Sequence, residues 1–310
     1  LPGLAGRLVR VRPVYLSLVP TLRTWMSDAK GYMPPVAIGA GMRGGGVGVV
    51  EESRFIGIAP GAVVNTGLAT WALYNDLPGE KLAVLPKLPG VPLTAFMGPL
   101  GVTGMTAYFG LLDIGQPKAG ETVVVSAAAG AVGSMVGQIA KIHGCRVVGI
   151  AGSTDKCRWL TDVAGFDAAI DYKSEDVGAA LDRHCPAGID INFENVGGPV
   201  MDSVIARLND FSRMPLCGLI SVYNATKPVP GPFNFGNLLM RRTLLKGFIV
   251  LDYLDRFPAG MRAMADWLAA GKIKFETDIV HGLEIAPAAL DRLFSGKNLG
   301  KLLVKVSDPP

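Results

Sequence analysis

The chain has 310 residues, 49% of them hydrophobic and 18% charged, with a net charge of +4. That length suffices for two domain cores, and a positive charge so small and dispersed excludes a basic face built for nucleic acid or an anionic membrane. No apolar run reaches the length of a membrane span, residues 1–19 carry arginines where a secretory signal keeps an uncharged core, and the four cysteines stand singly, so a cytoplasmic protein with reduced thiols is expected.

To about Gly98 the chain is rich in Gly and Pro, with short apolar runs at residues 8–11, 47–51, 62–65 and 82–85. Turn signals at such short intervals predict a β-rich, partly closed barrel. A helix-like segment at 105–112 opens a second region with strands expected at 122–126, 146–150, 168–171, 189–194, 214–217 and 244–250. Strands separated by helices in this way predict a doubly wound parallel sheet, an α/β architecture with right-handed crossovers. From Gly271 onward the pattern gives a strand at 274–280, a helix at 286–294 and a strand at 301–306, which returns the chain to its first domain. The expected division is residues 1–100 with 271–310, and residues 101–270.

The most informative stretch is residues 123–153, VVVSAAAGAVGSMVGQIAKIHGCRVVGIAGS, which reads without a break as strand, small-residue turn, helix and second strand. Val123, Val124 and Val125 are β-branched and continuous, as a strand buried on both faces requires. Ala128, Gly130 and Gly133 fall at the spacing of the G-x-G-x-x-G dinucleotide fingerprint, with Ala131 and Val132 inside the turn. Small residues there serve a tight turn, close approach of backbone to a pyrophosphate, and close packing of helix on strand. The helix repeats Val136, Ile139, Ala140 and His143 at helical spacing and offers its N-terminal N–H groups to phosphate. At the end of the second strand an NAD enzyme carries Asp or Glu for the ribose hydroxyls. This chain has instead Gly152, Ser153 and Thr154, then Lys156 and Arg158, and further on Tyr172 and Lys173. Hydroxyls and a cation suit a 2′-phosphate and favour NADP; the alternative leaves Lys156 on a solvated helix face with Asp155 on the ribose.

AAAGAVG with SMVGQIAK behind it, GIDINFENVGG (188–198), CGLISVYN (217–224) and NLGK (298–301) together resemble the medium-chain dehydrogenase/reductase superfamily. Within it they are similar to the zinc-independent, NADPH-dependent alkenal and enone double-bond reductases, the branch of prostaglandin reductases, plant double-bond reductases and bacterial curcumin reductase. The similarity spans nearly the whole chain, since residues 17–39 and 42–54 resemble the amino-terminal part of the bacterial members. It implies a GroES-like partly closed barrel for the substrate, a Rossmann domain for NADPH, and a homodimer joined through the nucleotide-domain sheet. A small enone or enal is the implied partner. Zinc alcohol dehydrogenases of the superfamily hold catalytic metal with Cys and His from the first domain. Here neither residue type occurs before Ala127, and Met42, Arg43, Gly44, Gly45 and Gly46 stand where those relatives read Gly-His-Glu. No metal site is therefore expected, and conjugate reduction is favoured over carbonyl reduction.

Hydride delivery to the β-carbon of an α,β-unsaturated ketone or aldehyde leaves negative charge on the carbonyl oxygen, which calls for a donor aimed into a dry pocket. Tyr223 is the catalytic candidate: it follows a strand and Gly218 at the carboxyl edge of the sheet, and it matches the active-site tyrosine that the resemblance implies. The plain alternative is a half-buried aromatic. As cofactor contacts the resemblance implies Asn195 in NVGG, Cys217, the backbone of Phe248, Ile249 and Val250, Asn298 in NLGK, and Gly152, Ser153, Lys156 and Tyr172 around the 2′-phosphate. Asn195 and Asn298 also read as turn residues. Tyr32 and Trp71 are candidate substrate-cleft aromatics. Val19 and Thr21 stand where bacterial relatives read an acid and a tyrosine, so a different substrate range is expected. The chain begins inside what is an early strand of those relatives, which predicts that Leu1 opens a fragment. The alternative functions are a quinone reductase of the same superfamily and, further off, an NADPH-binding protein without turnover.

Overall fold

The computed structural model describes residues 3–28 and 31–310. The chain forms two compact units, Leu1–Met97 with Thr277–Pro310, and Gly98–Glu276. The first half of the first unit runs β1 (Leu8–Ser17), α1 (Thr21–Thr24), β2 (Arg43–Ser53), β3 (Val63–Thr70), β4 (Asn75–Pro78) and β5 (Ala83–Val84). β1 pairs antiparallel with β2 along its length, while its other edge holds β4 at Leu8–Val11. The β1–β2 register slips between Pro13 and Tyr15, where proline has no N–H to give a ladder. Gly48 lets the two strands approach: a Cβ there would lie 2.5 Å from the Val11 side chain and 2.7 Å from the Arg12 carbonyl oxygen.

The second unit opens with α2 (Val102–Phe109), which passes into a π-helical turn, Gly110–Gly115. It continues β6 (Thr122–Val125), α3 (Gly133–Ile142), β7 (Arg146–Ala151), α4 (Thr154–Asp162), β8 (Ala168–Asp171), α5 (Val177–His184), β9 (Ile189–Phe193), α6 (Gly198–Ile205), β10 (Leu208–Leu216), α7 (Gly236–Met240), β11 (Leu244–Gly247) and α8 (Phe257–Ala269). The six strands are parallel in the order β11-β10-β9-β6-β7-β8, the doubly wound sheet that the alternating pattern predicts. Val123, Val124 and Val125 have no exposed surface, and burying each such side chain contributes roughly 1.5–3 kcal/mol. The chain then returns to the first unit through β12 (Thr277–His281), α9 (Ala286–Ser295) and β13 (Lys301–Lys305), completing a seven-stranded sheet in the order β12-β13-β1-β2-β3-β5 with β4 on β1.

Several boundaries differ from the sequence expectation, each for a packing reason. β10 starts at Leu208, not 214, and its first half bulges: the β9 register jumps between Leu208 and Arg213, and Phe211 has φ 59°. β11 ends at Gly247 and Val250–Arg256 coil into a 3₁₀ helix, so Phe248, Ile249 and Val250 follow the strand and do not extend it. α2 yields to the π turn at Gly110, where a Cβ would meet the Phe248 ring at 2.4 Å and the Phe193 ring at 2.8 Å. The second unit runs on to Glu276 because its last residues are tied back. Lys274 N–H donates to Gln138 Oε1 at 2.6 Å, Gln138 Nε2 donates to the Lys274 carbonyl at 2.9 Å, and Trp159 Nε1 donates to Glu276 at 3.4 Å.

Candidate active site

Strand order reverses between β6 and β9, so the crevice that binds ligands in open α/β sheets opens beyond the carboxyl ends of those two strands. Ala127 turns the chain there with φ 49°. A Cβ on Gly133 would lie 2.5 Å from the Ala127 carbonyl oxygen and 2.9 Å from Ala128 Cα, so glycine is what lets α3 start so close to its strand. Ala128, fully buried, donates its N–H to the Ile150 carbonyl at 2.9 Å and fills the first fingerprint position without disturbing the turn. α3 has no side-chain cap, whereas α4 and α5 are capped by Ser153 and Asp176. First-turn N–H groups have no intrahelical acceptor, so Gly130 to Gly133 form an uncapped, positively polarised cradle that fits a pyrophosphate.

Gly152, Ser153, Lys156 and Tyr172 come together at the ends of β7 and β8. A Cβ on Gly152 would meet the Tyr172 ring at 2.8 Å, and Tyr172 N–H donates to the Ala151 carbonyl at 3.1 Å. Ser153 Oγ accepts from Lys156 N–H at 3.4 Å, which places Lys156 in the first turn of α4, and Lys173 lies over the Tyr172 ring. Asp155, the alternative ribose ligand, points to solvent and pairs with Arg158 at 3.3 Å.

A third group gathers where β9 and β10 end. Cys217 and Gly218 both donate their N–H to the Glu194 carbonyl, at 2.9 and 3.1 Å. Ile220–Val222 then form one 3₁₀ turn that brings Tyr223 back over Gly218, with its hydroxyl accepting from Leu219 N–H at 3.3 Å. Asn195 spends amide hydrogen on protein: its Nδ2 donates to the Ser126 carbonyl at 2.8 Å and its N–H to Ser126 Oγ at 2.8 Å. Burial and the neighbouring Glu194 push the Cys217 thiol up to about 12, which removes it as a nucleophile near neutral pH. Phe248 packs edge-on against Phe193 and Tyr253, ahead of Ile249 and Val250. Ser126, Asn192 and Glu194, wholly buried polar residues at this site, escaped the sequence reading; the signal was an amide inside, and an acid directly behind, the otherwise apolar and buried strand residues 191–193.

The remaining candidates belong to the first unit. Tyr32 is half exposed and shares a 2.8 Å hydrogen bond with Thr21, one of the two residues that depart from the bacterial pattern. Trp71 packs against Gly44, with its indole N–H buried and unpartnered. Asn298 is buried and donates to the Gly300 carbonyl at 3.1 Å, the geometry of a turn asparagine. Among the described residues, no three His, Cys, Asp or Glu side chains are grouped to hold a metal ion. No helix among them is long and apolar enough to cross a membrane.

Two family descriptions match the chain: "N-terminal domain of oxidoreductase" over residues 1–85 and "Zinc-binding dehydrogenase" over residues 131–269. The NADPH-dependent curcumin reductase of Escherichia coli is 46% identical over 304 residues, 96% of this chain and 88% of that protein. An NADP-dependent 2-alkenal reductase of Nicotiana tabacum is 42% identical over 301 residues, 96% of this chain and 87% of its own. This chain belongs to the medium-chain dehydrogenase/reductase superfamily. Within it, the chain falls in the branch of NADP-dependent enone and alkenal reductases. CurA from Vibrio vulnificus, solved in complex with NADPH, superposes with a TM-score of 0.93 at 46% identity, covering 100% of this chain and 93% of that one. Quinone oxidoreductase of Escherichia coli, at 20% identity and a TM-score of 0.78, shares the fold of this superfamily and nothing more specific.

Proposed function

We propose that the chain is an NADPH-dependent reductase of the carbon–carbon double bond of α,β-unsaturated ketones and aldehydes, working without zinc. The observation that carries this reading is identity of 42–46% across nearly the whole chain to proteins named for 2-alkenal and curcumin reduction. The cofactor is assigned to the second unit. Ala128, Gly130, Ala131, Val132 and Gly133 receive the pyrophosphate, while Gly152, Ser153, Lys156 and Tyr172 receive the 2′-phosphate. Asn195, Cys217, the Phe248–Val250 backbone and Asn298 are assigned to the nicotinamide end. When bound, the reduced nicotinamide supplies the hydride.

Tyr223 is given the catalytic role: its phenol donates a hydrogen bond to the substrate oxygen as that oxygen becomes enolate-like, which stabilises charge present only in the transition state. The Leu219 N–H donated to its oxygen supports this role by holding the phenol over Gly218 at the carboxyl edge of the sheet. Substrate is assigned to the first unit near Tyr32 and Trp71, and the Thr21–Tyr32 pair supports a range different from that of relatives with tyrosine at position 21. The absence of Cys and His from residues 1–126 supports zinc independence. Edge strand β11, with exposed Leu244 and Leu245 beside exposed Leu239 and Met240, supports a homodimer that extends the sheet, a matter for light scattering. Four unpaired thiols support a reducing, cytoplasmic setting.

The test is consumption of NADPH and NADH over a panel of enones, enals and quinones. Tyr223→Phe is expected to lower kcat on enones by about a hundredfold or more with NADPH affinity unchanged. Turnover of quinones alone, indifferent to Tyr223→Phe, would overturn the reading.

A further inference from the structure

The side chain of Glu194 has no exposed surface and lies at the switch point of the sheet. Its Oε1 accepts from Ser126 Oγ at 2.9 Å, Val196 N–H at 2.7 Å and Gly197 N–H at 2.8 Å, and its Oε2 accepts from Asn192 Nδ2 at 2.9 Å. Each of these contacts is a neutral donor, the pattern that an acceptor-only carboxylate satisfies. The same residue's carbonyl takes Cys217 and Gly218 N–H. One residue thereby gathers the ends of three strands: β6 through Ser126, β9 through its own turn, and β10 through Cys217.

We propose that Glu194 is a positioning residue of the cofactor site, holding Asn195 and the Gly197–Gly198 turn in a ready-made arrangement against the end of β6. The inference rests on the NADPH reading above. Gly197 and Gly198 have φ 78° and 59°, a backbone with many alternatives in the unfolded chain, and α6 behind them has no side-chain cap. Glu194 supplies what they lack: its carboxylate sits on the N–H groups that lead into α6, at the positive end of that helix. Ser126 relays the hold, since its Oγ donates to Glu194 and accepts from Asn195 N–H. Loss of the carboxyl would leave Asn192 Nδ2 and the Val196 and Gly197 N–H groups without their acceptor and Ser126 Oγ with only the Phe193 carbonyl at 3.5 Å, and the turn would open to satisfy them.

A glutamine distinguishes position from charge. Asn192 Oδ1 is buried with no partner; if the Asn192 amide turns over, that oxygen accepts from the new Nε2 of Glu194→Gln, while the Gln Oε1 keeps Ser126, Val196 and Gly197. The experiment is NADPH affinity of the full chain by fluorescence titration, with thermal unfolding of each variant alongside. Glu194→Ala and Ser126→Ala are each expected to raise the Kd about tenfold or more, and Glu194→Gln by about threefold at most. The double variant Ser126→Ala/Glu194→Ala should lose less than the product of the two, since both break one chain of bonds. If Glu194→Ala does not fold, Ser126→Ala and Glu194→Gln carry the test. An unchanged Kd in the alanine variants beside a lowered melting temperature would show a merely structural role and overturn the inference. So would a Glu194→Gln loss equal to that of alanine, which would make charge the agent. A wild-type chain that fails to bind NADPH would overturn the functional reading as well, whereas normal wild-type binding with unaffected variants would overturn this inference alone.

Discussion

Lys301 offers the sharpest check on the physical account of the first unit. It is 2% exposed on β13, flanked in sequence by the buried Leu302, Leu303 and Val304, and its Nζ donates to the Leu18 carbonyl at 2.9 Å. Desolvation pushes its pKa down from 10.5 to about 7. Between those two values the unfolded chain holds a proton that the folded chain has released, so stability rises with pH through that window. At about 1.4 kcal/mol per pH unit, this one group adds roughly 2 kcal/mol between about pH 7 and about pH 8.5. Higher up, the four thiols Cys145, Cys157, Cys185 and Cys217, raised to about 11 or about 12, act with the opposite sign: the unfolded thiols ionise first, and stability falls as pH rises. Four groups against one turn the slope downward once about a quarter of the unfolded thiols are ionised, which places the stability maximum at roughly pH 8–8.5.

The perturbation is Lys301→Met, which conserves length and removes the titration. It leaves the Leu18 carbonyl without its donor, at a cost of about 1–3 kcal/mol independent of pH. The assay is urea unfolding of both proteins at about pH 7 and about pH 8.5. Subtracting variant from wild type cancels every other titrating group, and the difference should grow by roughly 2 kcal/mol in favour of wild type. Parallel profiles across that range would refute the burial argument.

Gly133→Ala would place a methyl 2.5 Å from the Ala127 carbonyl oxygen; NADPH affinity by fluorescence titration should fall about tenfold or more, with the far-ultraviolet circular dichroism of the cofactor-free protein retained. Lys156→Ala should raise the KM for NADPH about tenfold or more by removing a charge-assisted contact, and leave that for NADH nearly unmoved; equal loss for both coenzymes would place Lys156 elsewhere. Arg213 donates to Glu121 at 2.5 and 2.9 Å and to the Gly115 and Gln116 carbonyls at 2.8 and 3.0 Å, tying β10 to the entrance of β6. Arg213→Met should therefore lower stability by about 3 kcal/mol, read from the urea midpoint.

Much of this protein is visible one residue at a time. The valine run 123–125, the small residues at 128, 130 and 133, and the lack of an acid after Ala151 each state a local steric or electrostatic requirement, and local requirements survive in a linear string. That Gly152, Ser153, Lys156 and Tyr172 gather at one corner was legible for the same reason, because Ser153 and Lys156 share one helical turn and Tyr172 directly follows the neighbouring strand. Charge alternation and glycine content could not disclose that β10 starts at Leu208: Asn209 and Asp210 read as loop, and only pairing across a bulge makes them strand. Nor could they show that Asn195 is already bonded to Ser126, 69 residues away. The cradle and the parallel sheet were thus determined by the sequence itself, through propensity, spacing and side-chain size. The Glu194 network, the buried Lys301 and the π turn at Gly110 were decided only by tertiary packing, because burial and hydrogen-bond satisfaction belong to a position among distant neighbours and not to a residue type.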